Sequence, residues 1–177
     1  MDQCAFRPTG STTAAIIAIL QSVTELLLCK SYVVVIIQDF SKAFDTVLHS
    51  TVIHKMASMN IAVDVYNYQV DLSGQLDVSA SIMQRSAIGP ASYVVSAEDL
   101  TTVIVGNLMF KYADDTYIII PAVNADSSLA ELDRVDRWAQ NNNGSSHKLQ
   151  AQACCRSASS DTRHPPCDPP LSCLASP

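Results

Sequence analysis

Six consecutive residues, Tyr32-Val33-Val34-Val35-Ile36-Ile37, are aromatic or β-branched with no polar residue among them. A strand with one wet face alternates apolar and polar side chains; an unbroken run is the mark of a strand buried on both faces. A chain that holds such a strand must cover it from two sides. The 177 residues, 48% of them hydrophobic and 16% charged, suffice for one domain with a real core. A carboxylate, Asp39, stands just past the end of the run. That position is costly unless the acid is solvated, paired or bound to metal. Otherwise Asp39 starts a turn or caps the short stretch after it.

A second stretch carries two more acids. Phe110-Lys111-Tyr112 and Thr116-Tyr117-Ile118-Ile119-Ile120 flank Ala113-Asp114-Asp115. The pattern predicts two strands joined by a tight turn with acids at its tip. Adjacent like charges repel, and a hard divalent cation such as Mg2+ is the usual reason to tolerate them. Taken alone, a solvated acidic tip explains them equally well. Asp39, arriving from a separate buried strand, tips the balance toward a metal site.

The other segments supply cover. Ser11 or Thr12 caps a helix to about Lys30, with Ile16, Ile19, Leu20, Val23 and Leu27 as its apolar face. Its apolar neighbourhood, Ala14 to Leu28, is broken by Gln21, Ser22, Thr24 and Glu25, which argues against a membrane span. Further helices are expected from about Val47 to Met59, from Gly89-Pro90 onward, and from Asp126 or Ser127 to Gln140. In the last of these, Leu129, Leu132, Val135 and Trp138 are expected to face inward, and Glu131, Asp133, Arg134, Asp136 and Arg137 to face solvent. The residues from Gly144 to Pro177 are rich in Ser, Pro and Cys without either period, and read as a disordered tail. Four of the six cysteines lie there, with no CxxC pair to suggest zinc. Residues Met1 to Gly10 contain Asp2, Arg7 and Pro8 and no apolar core, so no secretory signal is visible and an intracellular chain is expected.

Four blocks in this order resemble the reverse transcriptases of non-LTR (LINE-type) retrotransposons. They are Phe6 to Thr13 (FRPTGSTT), Asp39 to Val47 (DFSKAFDTV), Gln84 to Val95 (QRSAIGPASYVV) and the YADD box, Tyr112 to Asp115. The resemblance covers roughly residues 4 to 143 and implies an α+β polymerase palm. Such a palm is a ferredoxin-like antiparallel sheet with helices packed on one face, here with partial fingers and no thumb. The implied activity is RNA-directed DNA synthesis, in which a primer 3′-hydroxyl attacks the α-phosphate of a dNTP and displaces pyrophosphate. The implied cofactor is Mg2+, held by the catalytic carboxylates Asp39, Asp114 and Asp115. The implied partners are an RNA template, a DNA primer and a dNTP, with no membrane and no protein partner evident.

By the same resemblance Phe44 lies under the sugar and excludes a 2′-hydroxyl, Gln84 lies near the nascent base pair, and Arg7 contacts phosphate. Core packing explains Phe44 nearly as well, and solvation explains Arg7, Lys42 and Lys111. A nucleotide cyclase-like palm also pairs acids on such a sheet, but it has no place for the Gln84 to Pro90 block.

The chain also departs from the family. Arg85 stands where the family usually has Gly, the interval from Tyr68 to Gln84 is short, and an unrelated composition begins after Asn143. The expected organisation is therefore a partial reverse transcriptase domain over 1–143 and a tail over 144–177, consistent with a frameshift or a spliced reading frame. The net charge of -6 runs against nucleic-acid binding, which needs a basic face. A catalytically dead remnant, with at most weak metal or nucleic-acid binding, is the alternative expectation.

Overall fold

A computed structural model describes residues 4–5, 10–41, 43–59, 89–142 and 145–155. Helix α1 (Thr12–Cys29) leads into strand β1 (Tyr32–Ser41), followed by α2 (His49–Ser58) and α3 (Gly89–Ser96). A hairpin of β2 (Leu108–Tyr112) and β3 (Asp115–Pro121) comes next. A 3-10 turn (Ala122–Ser127), α4 (Ser128–Asn141) and β4 (Ser145–Cys155) complete the order. The strands form one four-stranded sheet in the order β2-β3-β1-β4, with β3 antiparallel to both β1 and β2. This is the strand order of the ferredoxin-like βαββαβ arrangement. The chain divides into two compact units, one of the segments up to Asp39, Thr102–Arg134 and Lys148 onward, the other of Phe40–Thr101 and Val135–His147.

In the first unit, the β-branched run becomes β1, whose Val33, Val34 and Ile36 are buried. One sheet face carries Val33, Val35 and Ile37, and the other Val34, Ile36 and Gln38, because successive side chains alternate. Helix α1 starts at Ser11, whose Oγ accepts from Ala14 N at 3.0 Å. It sets Val23 against Val33 and Ile119, flanked by Ile19, Leu26, Leu27, Val35 and Phe110.

The rest of α1 departs from its expected face, since Ile16 and Leu20 are half exposed or more, at 50% and 59%. By length and composition this helix is long and apolar enough to cross a membrane, with mean hydropathy 1.7 and 11% of it buried. Its polar residues had argued against that.

The second unit packs α2 against α3, burying Val52, Met56, Tyr93 and Val95. Phe40 meets Trp138 edge to face at 5.3 Å between ring centres. Lys55 ties three segments together. Its Nζ donates to the Ser96 carbonyl, to Asp99 Oδ1 at 2.7 Å and to Asn142 Oδ1 at 3.1 Å, and lies 5.6 Å from the Trp138 ring centre. Trp138 Nε1 donates to the same Asp99 oxygen at 2.8 Å.

Two further expectations change. The tail was expected to be disordered from Gly144, yet Ser145–Cys155 forms β4. Lys148 to Ala153 does alternate, with Leu149, Ala151 and Ala153 between Lys148, Gln150 and Gln152. That short period-2 signal was outweighed by the serines and cysteines around it. The residues after 155 lie outside the described ones.

The inward face of α4 also differs. Ser128, Glu131, Val135, Trp138 and Ala139 are buried, while Leu129 is 67% exposed. The first four are spaced 3-4-3, which follows the helical period more closely than the 3-3-3 series expected from hydrophobicity.

Candidate active site

The ladder between β1 and β3 pairs Gln38 with Thr116, and that between β2 and β3 pairs Tyr112 with Asp115. Asp39 follows Gln38 and Asp115 precedes Thr116. Continuing the antiparallel register sets Asp39 opposite Asp115, with side chains on one face and Cβ atoms about 5 Å apart. The exposed acids share that face with the half-buried Tyr112, Tyr117 and Ile37. Helix α1 covers the other half of the same face, at Val33, Val35, Ile119 and Phe110. The acid end is left open to solvent.

The hairpin tip is Ala113-Asp114, a two-residue turn between Tyr112 and Asp115. Among the described residues Ala113 alone of the non-glycines has a positive φ, at 54°. An L-residue meets its own carbonyl there, at a cost of roughly 1–2 kcal/mol. The turn keeps Asp114 beside Asp115 without placing both in a regular strand, where neighbours point to opposite faces.

Electrostatics tie the three acids together. The Asp115 carboxyl is held above the usual 3.8, first by loss of hydration and then by the negative charges of Asp114 and Asp39. Tyr117, on the same face, is also raised, by loss of hydration and then by the Asp115 charge.

Three hard oxygen donors within Coulombic reach of one another fit a divalent cation rather than a soft metal. Among the described residues, however, no three His, Cys, Asp or Glu side chains converge closely enough to hold a metal ion between them.

The other expected site residues fare differently. Phe44 is half buried with its ring against Tyr93, centroids 4.7 Å apart and planes at 31°, in the second unit. That contact accounts for the ring by packing. Arg7, Lys42 and Gln84, with Arg85, lie outside the described residues. Lys111 corrects an expectation, since it is 4% exposed rather than solvated. It lies opposite Thr116 and so on the face away from the acids, in a buried polar row with Thr116 and Gln38. Strand parity was the available signal, as Lys111 neighbours Tyr112 in β2 and must point the other way.

Comparison with known proteins adds the family. A family model described as reverse transcriptase (RNA-dependent DNA polymerase) matches residues 1–157. The chain belongs to the reverse transcriptase family. Similar solved structures include telomerases. One is the telomerase of Candida tropicalis in complex with a TWJ fragment of telomeric RNA, at TM-score 0.64 and 10% identity over 86% of this chain and 30% of that one. The apo telomerase of Candida tropicalis truncated from its C-terminal domain matches at 0.56 and 12% identity, over 84% and 36%. The Candida albicans telomerase with a TWJ fragment matches at 0.57 and 9%, over 83% and 31%. At such identities the likeness is one of fold, and the chain spans about a third of each telomerase chain. No curated protein matches significantly. The mixed helix and antiparallel sheet of this reverse transcriptase chain is palm-like, in line with the expected palm.

Proposed function

We propose that the chain is the palm of a non-LTR (LINE-type) retrotransposon reverse transcriptase, whose acids Asp39, Asp114 and Asp115 serve transfer of a dNTP to a primer 3′-hydroxyl. One observation carries this reading. The β1–β3 register, continued by one residue, brings Asp39 opposite Asp115, and a strained two-residue turn sets Asp114 beside them. Few folding needs explain three acids at the open end of a sheet face.

In this reading the three carboxylates would hold Mg2+, which when bound neutralises phosphate charge and favours the attacking hydroxyl. Their own contribution is to present oxygen donors at the end of two paired strands, whose ladder fixes where those donors start. Phe44 is assigned to exclusion of a ribose 2′-hydroxyl by the family motif alone. Gln84 and Arg7 are assigned to the base pair and to phosphate by the family motifs alone. RNA template and DNA primer are the corresponding partners.

The alternative reading is a remnant of such a palm, without turnover in the isolated chain. Its net charge of -6 supports this second reading, because duplex binding rests on Lys and Arg neutralising phosphates. Primer extension on an RNA template with Mg2+ and dNTPs tests both. The expected product is at background. Product that vanishes in Asp114→Asn would overturn the remnant reading and establish the enzyme. Conversion of a nucleoside triphosphate without template would point to a cyclase instead.

A further inference from the structure

Glu131, on α4, has no exposure to solvent, and the acid chemistry above makes no use of it. A buried carboxylate is costly unless its oxygens are filled. Its donors all come from the short stretch before β2. Val103 N donates to Oε1 at 3.1 Å and to Oε2 at 3.0 Å, Ile104 N to Oε1 at 3.0 Å, and Asn107 Nδ2 to Oε1 at 2.7 Å. Around this core, Asn107 Nδ2 also donates to Ser127 Oγ at 3.0 Å. Asn124 Nδ2 donates to Asn107 Oδ1 at 2.9 Å and to the Val105 carbonyl at 3.1 Å. Gly106 turns the chain at φ +95°, and a Cβ there would meet Asn124 Nδ2 at 3.3 Å.

These bonds join the residues that enter β2 to those that leave β3. The hairpin is therefore closed twice, by this polar clamp at its base and by the Ala113-Asp114 turn at its tip. The tip is the unfavourable end, because Ala113 is held at φ 54°. Sliding β2 along β3 would exchange that turn for another, and a one-residue slip would send every β2 side chain to the opposite face. The clamp at the base opposes such a slip.

We propose that Glu131 is a positioning residue that fixes the β2–β3 register, and through it the strained turn that keeps Asp114 and Asp115 beside Asp39. The consequence for ion binding rests on the acid-site reading proposed above, whereas the register does not.

The test uses the full chain and two readouts. Cross-strand NMR contacts between Met109 and Ile118, and between Lys111 and Thr116, report the register. Terbium luminescence sensitised by Tyr112 and Tyr117 reports a cation at the acids. Glu131→Gln keeps the shape but turns an amide NH2 toward N–H donors. Its far-UV spectrum and cooperative unfolding are expected to persist, the cross-strand contacts to weaken, and terbium affinity to fall about tenfold. Adding Ala113→Gly removes the strain that drives the slip and is expected to restore both.

Should Glu131→Gln fail to fold, Asn124→Ala offers the same comparison with a smaller loss. Unchanged contacts and unchanged terbium affinity in the variant that folds overturn the proposal. So does a loss that Ala113→Gly leaves unrestored, which marks a merely structural role. A parent chain with the expected contacts but no terbium binding refutes the acid-site reading, while the register arm still decides the role of Glu131.

Discussion

Asp115 holds the electrostatic conflict of the site in one side chain. A carboxyl whose folded pKa lies above the ordinary 3.8 contributes stability below that value, and the contribution is lost as pH rises through the raised one. At neutral pH the ionised cluster therefore works against the fold. Asp115→Asn is expected to raise the melting temperature at pH 7, with the gain fading at about pH 3. Thermal unfolding at the two pH values checks this, and an equal gain at both would contradict it.

Asp99 has the opposite sign. Burial pushes its carboxyl up, but the Lys55 and Trp138 hydrogen bonds outweigh burial and hold it below 3.8. Its contribution is present above the ordinary carboxylate range and is lost as pH falls through the depressed value. Lys55→Met should cost roughly 1–2 kcal/mol at pH 7, and less in acid, by urea unfolding. The three catalytic candidates were readable from residue type and order. The repulsion between Asp114 and Asp115 was readable from their adjacency, whereas the share of Asp39 was not, because it depends on a register that brings Asp39 to Asp115.

Among the elements, the hairpin is where local preference and tertiary demand disagree. Glycine is the favoured residue at the first position of a two-residue turn of this kind, and alanine stands there. Ala113→Gly is expected to stabilise the fold by about 0.5–1 kcal/mol, the relief of strain being partly offset by a freer unfolded chain. A shift of the midpoint in urea without change of slope measures it; destabilisation would mean that the turn is not strained.

The strands and helices were legible wherever the period was long and clean, as in Tyr32 to Ile37 and the hairpin. They were less legible where a polar residue took an inward position. Glu131 looks like part of a solvated face because hydrophobicity alone cannot show a carboxylate filled by Val103, Ile104 and Asn107. Strand β4 was missed for a related reason, since backbone pairing at a sheet edge depends little on composition.

At the scale of the molecule, a reverse transcriptase fold brings acids from two distant segments to the open end of one sheet face. The covering helix α1 uses Val23 and its neighbours for the sheet at the other end of that face. Sequence order gave the segments, and the strand order β2-β3-β1-β4 explains why segments far apart in the chain meet.

The central claim is that Asp39, Asp114 and Asp115 form one cation site. Titration of the isotopically labelled chain with Mn2+, followed by paramagnetic broadening, tests it most directly. Selective broadening around Asp39, Tyr112 and Asp115, reversed by excess Mg2+ and lost in Asp114→Asn, is the predicted result. Broadening of the hairpin that leaves Asp39 untouched, or none at either, would contradict it.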